Sequence, residues 1–271
     1  MANTIDTAFI KQFESDVHMA YQRMGSKLRN TVRTVGNVAG SVVRFQKIGT
    51  GSASTKSRNG MVTPMELAHT TVEATMADYY AAEYIDKLDE LKINIDERQA
   101  VATSAAAALG RKTDELLITA MDAGANSTQI HDTSSALEKA DLLSLFETMG
   151  AADVPEDGGR FLAMHPKGFA DLFLITEFAS SDYVGDQNLP YAGGMTMKNF
   201  LGFNIFSTSA VTAGKSMAYH TSAIGLGINA DVSTEINYVP EKASHLATSM
   251  MSMGACVIDD NGLYEVLDNN S

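Results

Sequence analysis

The 271-residue sequence predicts an α+β fold, and three features carry that expectation. A long uninterrupted helical stretch runs from about Ile95 to Ala123. Strand-rich segments flank it, one before it and one after residue 230. Between them, residues 134 to 225 mix helix and strand signals in a compact α/β pattern. No internal repeat is visible.

Residues 1 to 40 read as an arm, with a short helix around Phe9 to Met24 that places Phe9, Phe13, Val17 and Met24 roughly on one face. "SVVRFQKI" (41 to 48) and "MVTPMELAHTTVEATMADYY" (61 to 80) are strand-like. The second alternates through Val72, Ala74 and Met76, and Pro64 marks it as an edge where a lost amide donor is tolerated. Between them, Gly49 to Gly60 carries no large apolar side chain. Hairpin loops are usually about two to five residues, and a longer structureless excursion is functional or disordered.

The helix that follows has Asn94 and Glu97 spaced as a capping box, acidic residues in its first turn and Gly124 at its C-cap. At about 1.5 Å per residue it spans roughly 40 Å, and its Ala105 to Ala108 tract lets another element pack close. Ser135 with Glu138 caps "SALEKADLLSLFETM", ended by Gly150, and Pro166 opens "PKGFADLFLITEF". "GRFLAMH" reads as a buried strand. "FNIFSTS", a helix or strand around Ser222 to Ile228, "STEINYV", "SHLATSMMSMGACVI" and "GLYEVL" complete the chain, the last two joined by the hairpin signal Asp260-Asn261-Gly262.

Composition narrows the function. The chain is 45% hydrophobic and 20% charged, enough for a real core. It has no run of about 18 apolar residues for a membrane span, and its first residues lack the basic start and apolar stretch of a signal peptide. A cytosol-like site of synthesis or assembly is expected. Cys256 is the only cysteine, so no internal disulfide and no zinc site built on two cysteines is possible; it reads as a small buried apolar residue.

The net charge of -13 hides an asymmetry. From Gln22 to Gly60 there is no Asp or Glu, while Arg23, Lys27, Arg29, Arg33, Arg44, Lys47, Lys56 and Arg58 are basic. The remainder holds 12 Lys or Arg against 33 Asp or Glu. A basic arm of this kind meets nucleic acid or an acidic surface, and the acidic surface is available on another copy of the same chain. Asp86, Asp89 and Glu90, with Asp96 and Glu97, form the densest acidic run. They read either as a solvated helix entry or as the receiver of a neighbour's Arg44, Lys47, Lys56 or Arg58.

Motifs for chemistry are missing. "GTGSAS" lacks the third glycine and the following helix of a dinucleotide site, and "GRKT" breaks the order of a phosphate-binding loop inside a helix. No serine-nucleophile motif occurs. The six histidines lack metal-ligand spacing, and "DDNG" has no Glu where a calcium loop needs one. No catalytic, metal or cofactor-binding residue is assigned, and no cofactor is expected.

The order of parts resembles tailed-bacteriophage major capsid proteins of the Hong Kong 97-like fold. The pieces that carry the likeness are "FESDVHMAYQRMGSKLRNTV", "VRFQKIGTGSASTKSRNGMVTP", "DKLDELKINIDERQAVATSAAAALGRKTDELLITAMD", "FLGFNIFSTSAV" and "ATSMMSMGACVIDDNGLYEVL". The resemblance implies an N-terminal arm (1–40), an extended loop hairpin (41–80), a peripheral domain (81–133 and 230–271, with spine helix 95–123) and an axial domain (134–229). It implies a non-enzymatic shell subunit that forms hexamers and pentamers around double-stranded DNA, without sequence-specific binding and without a membrane. It also implies scaffolding, portal and possible decoration partners, assembly in a host bacterial cytoplasm and a final place in the virion capsid. Some members of that family carry a long N-terminal scaffold-like extension that a protease removes; for this chain the resemblance implies that either a separate scaffolding protein acts or the N-terminal residues are retained. The competing readings are an encapsulin-like compartment shell and a nucleic-acid-binding protein using the basic arm; against the latter stand the single interleaved aromatic, Phe45, and the net acidity.

Overall fold

The computed structural model describes Arg23 and residues 25–90, 97–125, 137–179 and 197–267; Asp89, Glu90 and Glu97 are described by backbone alone. The expected N-terminal helix, Asn94, Asp96 and Ser135 lie outside the described residues. In chain order the elements are strands β1 (Arg33–Val35), β2 (Val42–Ile48), β3 (His69–Thr75) and β4 (Ala77–Asp86), then helices α1 (Lys87–Glu90), α2 (Glu97–Gly124) and α3 (Lys139–Ala151). Strand β5 (Arg160–Met164) and helices α4 (Pro166–Asp171) and α5 (Thr176–Ala179) follow. Strands β6 (Lys198–Phe200), β7 (Phe203–Ser207), β8 (Lys215–His220), β9 (Ile224–Val239), β10 (Ser244–Val257) and β11 (Leu263–Leu267) close the chain.

The strands make three sheets: β1-β9-β10-β4, β11-β8-β5-β7-β6, and the β2-β3 ribbon. The chain divides into two units: one of Met1–Gly25, Tyr79–Gly110 and Val232–Met251, the other of Ser26–Asp78, Arg111–Asp231 and Ser252–Ser271.

In the larger unit, the five-stranded sheet pairs β5 with β7 in parallel and with β8 antiparallel, while β6 and β11 pair antiparallel at the edges. Its core joins Leu142, Leu145 and Met149 of α3 to Leu162 and Met164 of β5, Phe169 of α4, and Tyr264 and Val266 of β11. A chain of edge-to-face rings, Phe169–Phe173–Phe178–Phe200, extends it. The α3 cap lies three residues later than its expected start: Glu138 stands at the N-cap, and Asp141 accepts its backbone N–H at 2.7 Å. Helix α4 starts at Pro166 behind the capping imidazole of His165, as its sequence predicts.

The chain leading to β1 is tied down by one buried carboxylate. Asp114 of α2 is fully buried and accepts the backbone N–H groups of Lys27 (3.2 Å) and Leu28 (3.1 Å), together with the Ser26 hydroxyl. A buried charge is tolerable only with such donors around it.

Two expectations are corrected. The strand after the loop starts at His69 rather than at residue 61 and is interrupted at Met76, where the chain leaves the β2-β3 ribbon for the sheet containing β4. Pro64 therefore lies in the loop, not on an edge strand. Asp260–Gly262 does not close a hairpin: it is a turn of 3₁₀ helix capped by Asp259, and it carries the chain from β10 in one sheet to β11 in another. A turn motif specifies local backbone, whereas strand partners are chosen by distant pairing.

Candidate assembly surface

The β2-β3 ribbon has an inner and an outer half. In β2 the burial alternates, with Val43 and Phe45 inward, and Ala74 faces inward on β3. These residues pack with Cys256 and Ile258, joined by Val35, Val38, Val72 and Met76. The ladder is antiparallel with Arg44 opposite Glu73 and Phe45 opposite Val72. Two glycines make the seat. A Cβ on Gly225 would lie 2.8 Å from the Phe45 ring, and one on Gly254 would lie 2.2 Å from the Thr75 carbonyl oxygen. Any side chain at Gly254 would therefore push the ribbon off the sheet.

Beyond Ile48 one further backbone bond, from the N–H of Gly49 to the carbonyl of Ala68 (2.8 Å), continues the ladder. The outer loop then turns at Ser57–Gly60, where the Gly60 N–H reaches the Ser57 carbonyl at 3.0 Å and Asn59 takes the left-handed conformation, φ 67°. Its two arms meet at Gly51, where an added Cβ would overlap Met65. Nearly every residue from Gly51 to Leu67 is exposed, including Met61 at 94% and Val62 at 69%.

The predicted contact residues fall into separate environments. Arg44 holds Glu73 of its own chain at 2.7 Å across the ribbon. Lys47 holds Asp259 at 2.8 Å and Asp260 at 3.7 Å, and the hydrogen bond to Asp259 raises its pKa above the ordinary lysine value. Lys56 and Arg58 are exposed on the outer loop and carry no ion pair among the described residues. Asp86 ends β4, exposed, and its carboxylate accepts the Leu88 N–H at 2.7 Å. Asp89 and Glu90 close α1, and their side chains lie outside the described residues. The structure thus keeps Lys56 and Arg58 together on one loop, and engages Arg44 and Lys47 within their own chain. Lys27 and Arg29 also find internal partners, the Ser207 carbonyl at 2.9 Å and Asp231 at 2.6 and 2.8 Å.

Sequence reasoning missed the apolar side of the loop. Met61, Val62 and Met65 are 53% or more exposed, and the signal that finds them is Pro64 beside a glycine-rich run, which weakens any strand assignment. It also missed a polar clamp at the end of β8. His220 is buried; its Nδ1 accepts the Ser222 N–H at 3.2 Å, so Nε2 bears the proton and donates to Asp157 at 2.9 Å. That bond, with one from the Gly159 N–H, holds the Asp157 carboxyl below its ordinary range.

Among the described residues no helix is long and apolar enough to cross a membrane, and no cluster of three or more His, Cys, Asp or Glu could hold a metal.

Residues 5–268 match the family model for phage capsid protein. The chain belongs to that family, and it is a major capsid protein that forms a phage shell. Its fold is Hong Kong 97-like: the capsid protein of cyanophage P-SCSP1u superposes with a TM-score of 0.79 at 18% identity, covering 100% of this chain and 96% of that one. Mycobacterium phage Che8 gives 0.73 at 18% identity, covering 96% and 97%. A virus-like particle from Pyrococcus furiosus gives 0.59 at 14% identity, covering 89% and 92%. No curated protein matches. The family match favours a phage shell over an encapsulin-like compartment or a nucleic-acid-binding protein. The protein is a structural component of the virion capsid.

Proposed function

We propose that this subunit assembles into hexamers and pentamers of an icosahedral head that encloses double-stranded DNA, and that the outer loop of each copy lies on a neighbouring copy. The observation that carries this reading is the contrast within one hairpin: an inner half seated in its own core, and an outer half from Gly51 to Leu67 with almost nothing of its own to bury. Ordering each loop residue costs about 1 to 2 kcal/mol, and a neighbour's surface offsets that cost in the shell. Many weak copies of one contact add up in a closed symmetric assembly. Lys56 and Arg58 supply positive charge to an otherwise acidic chain, with Asp86, Asp89 and Glu90 as candidate receivers; Arg44 and Lys47 stiffen the hairpin that carries them. The excess of carboxylates outside the arm suits a container that must release its DNA, because a basic lining would grip phosphates.

The same reading divides the chain into arm (1–40), loop hairpin (41–80), peripheral domain (81–133, 230–271) and axial domain (134–229). It assigns scaffolding, portal and decoration proteins as partners and the host bacterial cytoplasm as the place of assembly. Electron microscopy of the purified protein, co-expressed with its scaffold where one is needed, tests it: closed particles with five- and six-fold capsomers are expected. Monomers or open sheets alone would contradict it. Virions whose particles hold protein cargo in place of DNA would contradict the DNA-containing role.

A further inference from the structure

We propose that the start of β5 forms the floor of a binding pocket for a small organic carboxylate, whose charge is received by the Arg160 guanidinium. Arg160 is 2% exposed, yet its surroundings leave the charge largely uncompensated. Its Nε donates to the Pro155 carbonyl at 3.1 Å and its Nη2 to the Val154 carbonyl, and both acceptors are neutral. The ion pair it makes among the described residues is with Glu156, whose carboxylate lies 3.4 Å from Nη1 and is 63% exposed. A charge-assisted N–H···O bond is about 2.7 to 2.9 Å long, and a buried charge ordinarily has such a partner. Glu156 is thus a weak, solvated stand-in for a better-placed carboxylate.

A cavity of about 350 Å³ opens onto this group, and Phe146, Glu156, Gly158, Asn199 and Leu201 line it together with Arg160. That is the size of a small-molecule site. The Phe146 ring centre lies 5.8 Å from the Arg160 Cζ, and Leu201 supplies a second apolar wall. A ligand that fits therefore carries a compact apolar body beside its charge, with the Asn199 amide as a further polar contact. The walls are built in advance. The Asp157 carboxylate accepts the Gly159 N–H and the His220 Nε2–H, both at 2.9 Å. The Thr221 N–H donates to the Gly159 carbonyl at 2.9 Å, and the Asn204 amide donates to the Gly158 carbonyl at 2.6 Å. These bonds pin the Glu156 side of the pocket to β7 and to the end of β8. On the other side Leu201 and Gly202 both take left-handed backbone, φ 51° and 79°. Asn, Asp or Gly is usual at the first of these turn positions, so a leucine there holds backbone strain in order to present its side chain. A bound carboxylate turns Glu156 out to water, where most of its surface already lies.

The test uses benzoate as the probe, titrated onto the full-length protein and followed by saturation-transfer NMR, which reads subunits and assembled particles alike. A Kd on the order of 1 mM is expected for so small a ligand. Benzamide, the same shape without the charge, should bind about tenfold more weakly, and equimolar inorganic phosphate should leave benzoate bound. Glu156→Gln removes the internal competitor and should tighten binding about threefold. Arg160→Gln should abolish it. Because that variant may fail to fold, Phe146→Ala and Asn199→Asp, at exposed or partly exposed positions, decide independently: each should weaken benzoate about fivefold with the Tm retained. No saturation transfer, equal binding of benzamide, displacement by phosphate, or wild-type affinity in both Phe146→Ala and Asn199→Asp would each overturn the carboxylate pocket. None of these outcomes bears on shell assembly, which is read separately by microscopy.

Discussion

The two halves of the β2-β3 hairpin have the same chain connectivity and opposite physics. The inner half alternates in burial, buries Phe45 to 2% exposure and packs on glycines cleared for it. The outer half has one tight turn, one brace and a row of exposed side chains. An apolar residue in the first half stabilises the subunit, and one in the second half can contribute only when another copy covers it. The two regions should therefore respond differently to the same kind of substitution.

The largest effects fall on the inner half. Phe45→Ala removes a fully buried ring and should cost about 3 to 5 kcal/mol of subunit stability, read as a lower urea midpoint. Gly254→Val should be comparably damaging, because its Cβ would overlap the Thr75 carbonyl; a wild-type midpoint would remove the glycine seat. On the outer half, Lys56→Glu/Arg58→Glu should change subunit stability by less than about 0.5 kcal/mol while reducing particle yield. Charge reversal among Asp86, Asp89 and Glu90 should restore part of that yield if this run is the receiver, and restoration by no combination removes it.

Lys47→Met tests the junction between the halves. Its ion pairs are partly exposed, so about 0.2 to 1 kcal/mol is expected. The sign with pH is defined: a raised lysine pKa stabilises below the unfolded value of 10.5 and its contribution disappears as pH rises through the folded value. The smallest effect is a control away from the hairpin. The Asp157 carboxyl is held low, so its contribution is present above the unfolded value of 3.8 and is lost as pH falls through the lower folded value. The Tm difference between wild type and Asp157→Asn should shrink to nothing across that acidic range, with no change in loop behaviour.

Much of the frame was legible in the sequence. The long helix appears at 97–124 against an expected 95–123 because capping, length and an alanine tract all agreed. Strands β5, β7 and β10 followed from apolar runs with clear bounds. The loop's extent was misread because the apolar Met61, Val62 and Met65 run on toward the strand alternation of Val72, Ala74 and Met76; hydrophobic pattern does not distinguish burial inside a subunit from burial between subunits. Pairing of Arg44 with Glu73 and of Lys47 with Asp259 depends on strand register and on contacts across more than 200 residues in the second case. No local spacing reports either. The charge asymmetry was real in composition, yet part of it is neutralised inside the chain, which leaves Lys56 and Arg58 as the positive charges of the outer loop.

The central claim is that the inner half folds the subunit and the outer half builds the shell. Deleting Gly51 to Asn59 and following the unassembled subunit by thermal unfolding beside electron microscopy of assembly tests it most directly. The account predicts an unchanged Tm and no stable closed particles. Normal shells from the deleted chain, or a subunit that no longer folds, would contradict it.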